Sequence, residues 1–209
     1  FPKENLKLLI NTSVETTYQK RGDSVEEVAE NITTLFRVNP GNMLVYFPSY
    51  KYMQDVADIF IHANPDIELI VQQKDMDEES RLVFLSNFSE DNCLIGFAVM
   101  GGIFGEGIDL RGEKLMSCVI VGVGLPQICL ERDLIRTYFD THEHNGFDFA
   151  YKYPGFNRVM QAAGRVIRTS QDKGVILLLD RRFGNYTRLF PPEWKHYRKI
   201  MYASSIEGI

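Results

Sequence analysis

A layered α/β domain, with a mostly parallel central sheet and helices on both faces, is the fold class this sequence predicts. Three observations predict it. Short apolar runs alternate with stretches of helical period. The runs are apolar at nearly every residue, not at every second one. No internal repeat, low-complexity tract or linker divides the 209 residues, which read as one domain, 1–209. A strand covered on both faces needs apolar side chains throughout, and parallel neighbours need crossovers long enough to hold a helix.

The elements follow in order. Leu6 to Ile10 reads as the first strand. Asp23–Ser24 caps a helix running to about Arg37, with Val25, Val28, Ile32 and Leu35 on one face. After the Pro40–Gly41 turn, Met43 to Phe47 is a continuous apolar strand, and Pro48–Ser49 opens a helix from Tyr50 to about Ala63. Ile67 to Val71 is the third strand, Asp77 to about Phe88 the third helix, and Cys93 to Met100 the fourth strand. A glycine-dense loop leads to the fifth, Ser117 to Val123. A mixed, mainly helical excursion covers Leu130 to Arg168, with an inserted helical segment at about 130–160, and Gly174 to Asp180 is the last buried strand. Ligands of such sheets bind beyond the carboxyl ends of the strands.

Composition narrows the class further. The apolar share of 44% and charged share of 24% are those of an ordinary globular protein. No apolar run reaches the roughly 18 residues a bilayer span needs, so no membrane partner is expected. With Phe1 first and no basic-then-apolar leader, the chain reads as a fragment of a longer cytosolic or nuclear protein. Cys93, Cys118 and Cys129 lie in or beside apolar runs and read as buried free thiols, not as metal ligands. Net charge is −5, but 154–201 carries ten Lys/Arg against three Asp/Glu, leaving thirteen against twenty-five elsewhere. The final third could therefore meet phosphates, and an uneven surface explains the charge equally well.

Two segments carry chemistry. On a helix turning about 100° per residue, Arg158, Gln161, Arg165 and Arg168 form one stripe, opposite Val159, Ala162, Ala163, Val166 and Ile167. A solvated surface stripe is the ordinary explanation. Against it, arginines three or four apart repel and no carboxylate within the segment offsets them. Gly164, which disfavours helix, signals a close backbone approach or a helix end. Guanidinium forks match phosphate oxygens, so an anion is the natural missing partner. The second segment runs from Gly101 to Leu110 and places four glycines, Glu106 and Asp109 after the fourth strand. It reads either as a turn cluster or as a loop facing a ligand. His142-Glu143-His144 reads as exposed loop, and Asp77-Glu78-Glu79 as a helix start; no metal site is expected.

These segments resemble the C-terminal, RecA-like motor domain of the XPD/DinG-type helicases of superfamily two. Gln161-Ala-Ala-Gly-Arg165-Val-Ile-Arg168, with Asp172-Lys-Gly174 and Leu179-Asp180-Arg181-Arg182-Phe183 after it, resembles motif VI and its sequel. Gly102-Ile-Phe-Gly-Glu106-Gly107-Ile-Asp109 resembles motif V, and Met43-Leu-Val-Tyr-Phe47-Pro-Ser49-Tyr50 motif IV; Tyr153-Pro154 resembles the step before the motif VI helix. The resemblance implies a three-layer sandwich acting as half of an ATP-dependent, 5′-to-3′ DNA helicase. Arg165 and Arg168 would be arginine fingers reaching a triphosphate on the N-terminal motor domain of the same chain. Gln161 would position them, Asp109 would meet the ribose, and Glu106, Gly107 and the motif V backbone would couple nucleotide to DNA. Ser49, Tyr50, Lys51 and Gly102 would line the single-stranded DNA track, while Tyr52 reads as a packing residue. ATP and Mg²⁺ would sit mainly on the absent half, since no Gly-Lys-Ser/Thr occurs here. The expected location is cytoplasmic and nucleoid-associated in a bacterium, nuclear in a eukaryote. A helicase-like docking module for a regulatory protein and a stand-alone phosphate- or nucleotide-binding domain are the alternatives.

Overall fold

The computed structural model describes residues 2–104, 110, 112–167 and 169–208. Among the described residues, seven strands form one sheet: β1 (Leu6–Asn11), β2 (Met43–Phe47), β3 (Leu69–Val71), β4 (Ile95–Val99), β5 (Ser117–Val121), β6 (Gly174–Leu179) and β7 (Arg198–Ile200). Their order is β3-β4-β2-β5-β6-β1-β7, and every pairing is parallel. The helices that cover it are α1 (Val25–Val38), α2 (Tyr50–Ala63), α3 (Glu78–Ser86), α5 (Tyr153–Ala163) and the short α6 (Phe183–Tyr186), while α4 (Leu130–His142) buries no residue and stands off the sheet.

Strand side chains alternate between two cores. Leu44, Tyr46, Ile120, Ile176 and Leu178 meet Phe84 of α3, Phe156 and Val159 of α5, and Phe183 of α6. Val45, Phe47, Val119, Leu177 and Leu179 meet Ile32 and Leu35 of α1, Val56 and Phe60 of α2, and Ile206 near the C-terminus. Both faces are therefore dry, which is why β2, β5 and β6 are apolar at nearly every position. Each such Leu, Ile or Phe contributes about 1.5–3 kcal/mol by leaving water.

Two expectations about elements need correction, and a third gains detail. Gly174 to Asp180 is not the last strand, because Arg198–Ile200 adds β7 at the edge beside β1. With Arg198 and Lys199 exposed, its sequence lacks the apolar run of a buried strand. The mixed, mainly helical excursion is present, in pieces: α4 ends at His142, one turn of π-helix covers Asp148–Lys152, and α5 follows. Finally, α5 stops at Ala163 with Gly164 as its cap, so Arg165 lies beyond the helix and off the single stripe. Of the two meanings offered by Gly164, the helix end is the one adopted.

The thiols differ from expectation as well. Cys118 is buried on β5, and burial pushes its thiol well above the usual range. Cys93, before β4, and Cys129, at the start of α4, are exposed, since neither lies under a covering helix. Asp77 caps α3, its Oδ1 accepting from Ser80 N at 2.8 Å, and these hydrogen bonds hold the carboxyl below its ordinary value. That is a helix start, as the sequence predicts.

Candidate functional site

The register of the sheet separates the predicted site residues into two groups. Helix α5 starts at the carboxyl edge, where a Cβ on Gly155 would lie 3.0 Å from Val123 O, just beyond β5. It ends at the amino edge, where the Ala162 carbonyl accepts from Cys118 Sγ at 3.9 Å and Val166 packs against Gly174, the first residue of β6. Arg165 therefore sits at the amino edge, half-buried, in a turn closed by Arg165 N to Ala162 O and Val166 N to Ala163 O, both 3.3 Å. Burial of Val166 fixes this turn. Arg165 is thus away from the carboxyl ends of the strands, where ligands of such sheets are expected. Gln161 is exposed on the last turn of α5. Arg168, Glu106, Gly107 and Asp109 lie outside the described residues.

The second group is at the carboxyl edge, roughly 16 Å away by strand rise over five residues. Ser49 caps α2 there, its Oγ accepting from Tyr52 N at 3.4 Å and from Arg21 Nη1 at 3.3 Å. Lys51 is exposed and donates to both oxygens of Asp55 at 3.1 Å. The chain just after β4 is held to the end of β2, two residues before the Ser49 cap, because Met100 N donates to Phe47 O at 2.8 Å. Gly101 takes φ +74°, and a Cβ there would lie 3.3 Å from Arg158 Nε, so the first arginine of the motif VI segment rests on the motif V turn. Gly102 N donates to Val99 O at 3.2 Å. Tyr52 is in the core, its hydroxyl 2.6 Å from Ser24 Oγ, and burial pushes its phenol up to about 12.

Sequence reasoning missed a neighbouring cluster. Asp180, fully buried at the end of β6, accepts from Thr16 Oγ1 (2.5 Å), Arg182 N (2.7 Å), Arg182 Nε (2.8 Å) and Arg182 Nη2 (2.7 Å). Burial alone would lower the Arg182 pKa, but the hydrogen bonds and charge of Asp180 hold it raised. Arg21 donates Nε to Thr16 O at 3.3 Å, and its guanidinium carbon lies 5.6 Å from the ring centroids of both Tyr18 and Tyr52. Burial, with the positive charge of Arg182, lowers its pKa. Tyr18 is 86% exposed. A half-buried cation beside a second cation and an open aromatic ring has the chemistry to meet an anion carrying a stackable group. The available signal was an arginine and a tyrosine in the polar loop after a strand, which periodicity does not weigh.

A seven-stranded parallel sheet with helices on both faces is the fold of RecA-like helicase domains. Two solved structures share the fold: one titled XPD_APO (TM-score 0.75, 24% identity, 94% of this chain and 40% of that one) and the Mss116p DEAD-box helicase domain 2 bound to an RNA duplex (TM-score 0.54, 12% identity, 97% and 66%). The family is shown by sequence. The chain belongs to the helicase C-terminal domain family, whose model matches residues 32–197. Its curated relatives include the ATP-dependent DNA helicase CHL1 of Candida albicans, 29% identical over 209 residues (87% of this chain, 25% of that protein). The ATP-dependent DNA helicase XPD of Sulfolobus acidocaldarius is 27% identical over 208 residues (95% and 34%). A regulator of telomere elongation helicase 1 homolog of Caenorhabditis briggsae is 25% identical over 202 (84% and 20%). The chain thus spans about a fifth to a third of these relatives. Among the described residues, no helix is long and apolar enough to cross a membrane.

Proposed function

We propose that this chain is one domain, the second motor half of an ATP-dependent DNA helicase that works 5′ to 3′. The observation that carries the reading is the helicase C-terminal family match over a fold whose two candidate sites lie on opposite edges of one sheet. The amino edge faces nucleotide. Arg165 and Arg168 stabilise charge on the phosphoryl oxygens of ATP held by the N-terminal motor domain, with Gln161 aligning them and Glu106, Gly107 and Asp109 as further nucleotide-binding residues. Guanidinium donors suit those oxygens. The phosphate cradle and the Mg²⁺ ligands belong to the other half, since the chain has no Gly-Lys-Ser/Thr.

The carboxyl edge carries single-stranded DNA on Ser49, Tyr50 and Gly102, joined by Arg21 and Tyr18; Lys51, paired with Asp55, is a secondary contact. Nuclear localisation fits a eukaryotic parent, and a nucleoid-associated cytoplasmic one a bacterial parent. The reading predicts that the full-length protein hydrolyses ATP faster when oligo(dT) is added. A rate indifferent to single-stranded DNA sinks it.

A second reading, a docking module for a regulatory protein, is favoured by the apolar stripe Leu130, Leu134 and Tyr138 left exposed on α4. A full-length protein whose N-terminal half lacks the phosphate-loop lysine would select it.

A further inference from the structure

The geometry points to Gln72 as a positioning residue that fixes the Tyr50 ring and the motif V turn as one unit of the single-strand track. The inference rests on the helicase reading above and deepens it. Gln72 follows β3 and is 3% exposed, so both ends of its carboxamide must find partners inside the protein. They find them on two different elements. Nε2 donates to the Tyr50 hydroxyl at 2.7 Å, and Oε1 accepts from Val99 N at 2.8 Å. Its own backbone N donates to Phe97 O at 2.9 Å, which anchors the residue to β4.

The two partners belong to the two segments assigned to DNA. Tyr50 opens α2 beside Ser49. Val99 ends β4, and its carbonyl accepts from Gly102 N at 3.2 Å, closing the turn at Gly101–Gly102. Gly102 also lies beside the glutamine, since a Cβ there would stand in ordinary contact, 3.6 Å from Gln72 Nε2. A displacement of the motif V turn therefore reaches the Tyr50 ring through one buried amide, with no other side chain between them. Tyr50 is half-buried, its ring packed against the core and its hydroxyl held by this bond. Burial and the charge of Asp75 hold the Tyr50 phenol above its usual range, against the hydrogen bond from Gln72, so it remains a neutral O–H group able to donate as well as accept.

The test uses the full-length protein with oligo(dT) and steady-state ATP hydrolysis. Gln72→Met keeps the volume and removes both hydrogen bonds, while Tyr50→Phe keeps the ring and removes only the hydroxyl. Each is expected to raise the half-saturating DNA concentration about fivefold to tenfold, with a much smaller change in KM for ATP. The double variant should add little to either single, because both break the same bond. Gln72→Glu has the same shape and accepts from both Val99 N–H and the Tyr50 hydroxyl, so it should restore most of the DNA response. Additive effects overturn the inference, as does a Gln72→Met variant that loses thermal stability and ATP affinity while keeping the wild-type DNA half-saturation. A wild-type protein that does not respond to DNA instead overturns the helicase reading on which the inference stands.

Discussion

Replacing Arg165 by alanine in the full-length protein is expected to lower DNA-stimulated ATP hydrolysis by roughly a thousandfold or more, the usual weight of an arginine finger. Single-strand affinity should stay near wild type, because Arg165 is at the amino edge of the sheet and the DNA group at the other. Arg165→Lys should recover little, since an ammonium keeps the charge but lacks the planar fork that spans two phosphate oxygens. Hydrolysis rates and oligo(dT) anisotropy measured on the same preparations check this. Hydrolysis near the wild-type rate would remove Arg165 from the catalytic role, and joint loss of hydrolysis and DNA binding would remove the separation of the two edges.

The second large effect concerns stability. Asp180 accepts four hydrogen bonds at 2.8 Å or less while fully buried, and its main donor, Arg182, is 27% exposed along its side chain. Asp180→Ala leaves that guanidinium without its counter-charge and Thr16 without its acceptor. A loss of about 3–5 kcal/mol is expected, the cost of breaking a largely buried pair from one side. Urea denaturation of the purified chain reads it as a lower midpoint. Removing Arg182 together with Asp180 should cost less than the two single losses summed. Additive losses would show that the pair is not coupled. Because the Thr16 loop also carries Arg21, the Asp180→Ala variant should weaken DNA binding in the full-length protein too.

What was legible in the sequence follows from the range of the interactions involved. Met43–Phe47 and Gly174–Leu179 could be read because burial on both faces leaves its mark on each residue in turn. Helices α1 and α2 match their predicted ends closely because apolar spacing is a local feature; the Ser49 side chain caps α2, whereas Ser24 makes no cap hydrogen bond to α1 and instead meets Arg21 O and the Tyr52 hydroxyl. Strand β7 was not legible: it is three residues long, two of them are exposed cations, and only its pairing with β1 makes it a strand. The arginine stripe was half legible. The helix that carries Arg158 and Gln161 was legible, but that Gly164 ends it before Arg165 depends on Val166 turning into the core against Gly174.

The candidate site shows the same division. Ser49, Tyr50 and Gly102 stand on adjacent elements, as their place in the motifs implies, yet their link through Gln72 joins residues 22 and 27 positions apart. Thr16 and Asp180 are 164 positions apart, and nothing local to either predicts the other. Lys51 was chosen for its charge, and the structure commits that charge to Asp55. The amino-edge position of Arg165 follows from the direction of α5 across β5, which depends on tertiary packing and cannot be read from a helical wheel.

The central claim is that the chain supplies arginines to a nucleotide held elsewhere. ATP turnover by the purified 209-residue chain, with Mg²⁺ and oligo(dT) present, tests it most directly. The account predicts turnover indistinguishable from a protein-free blank, restored only when the N-terminal motor domain is joined to the chain. Sustained, DNA-stimulated turnover by the chain alone would contradict it.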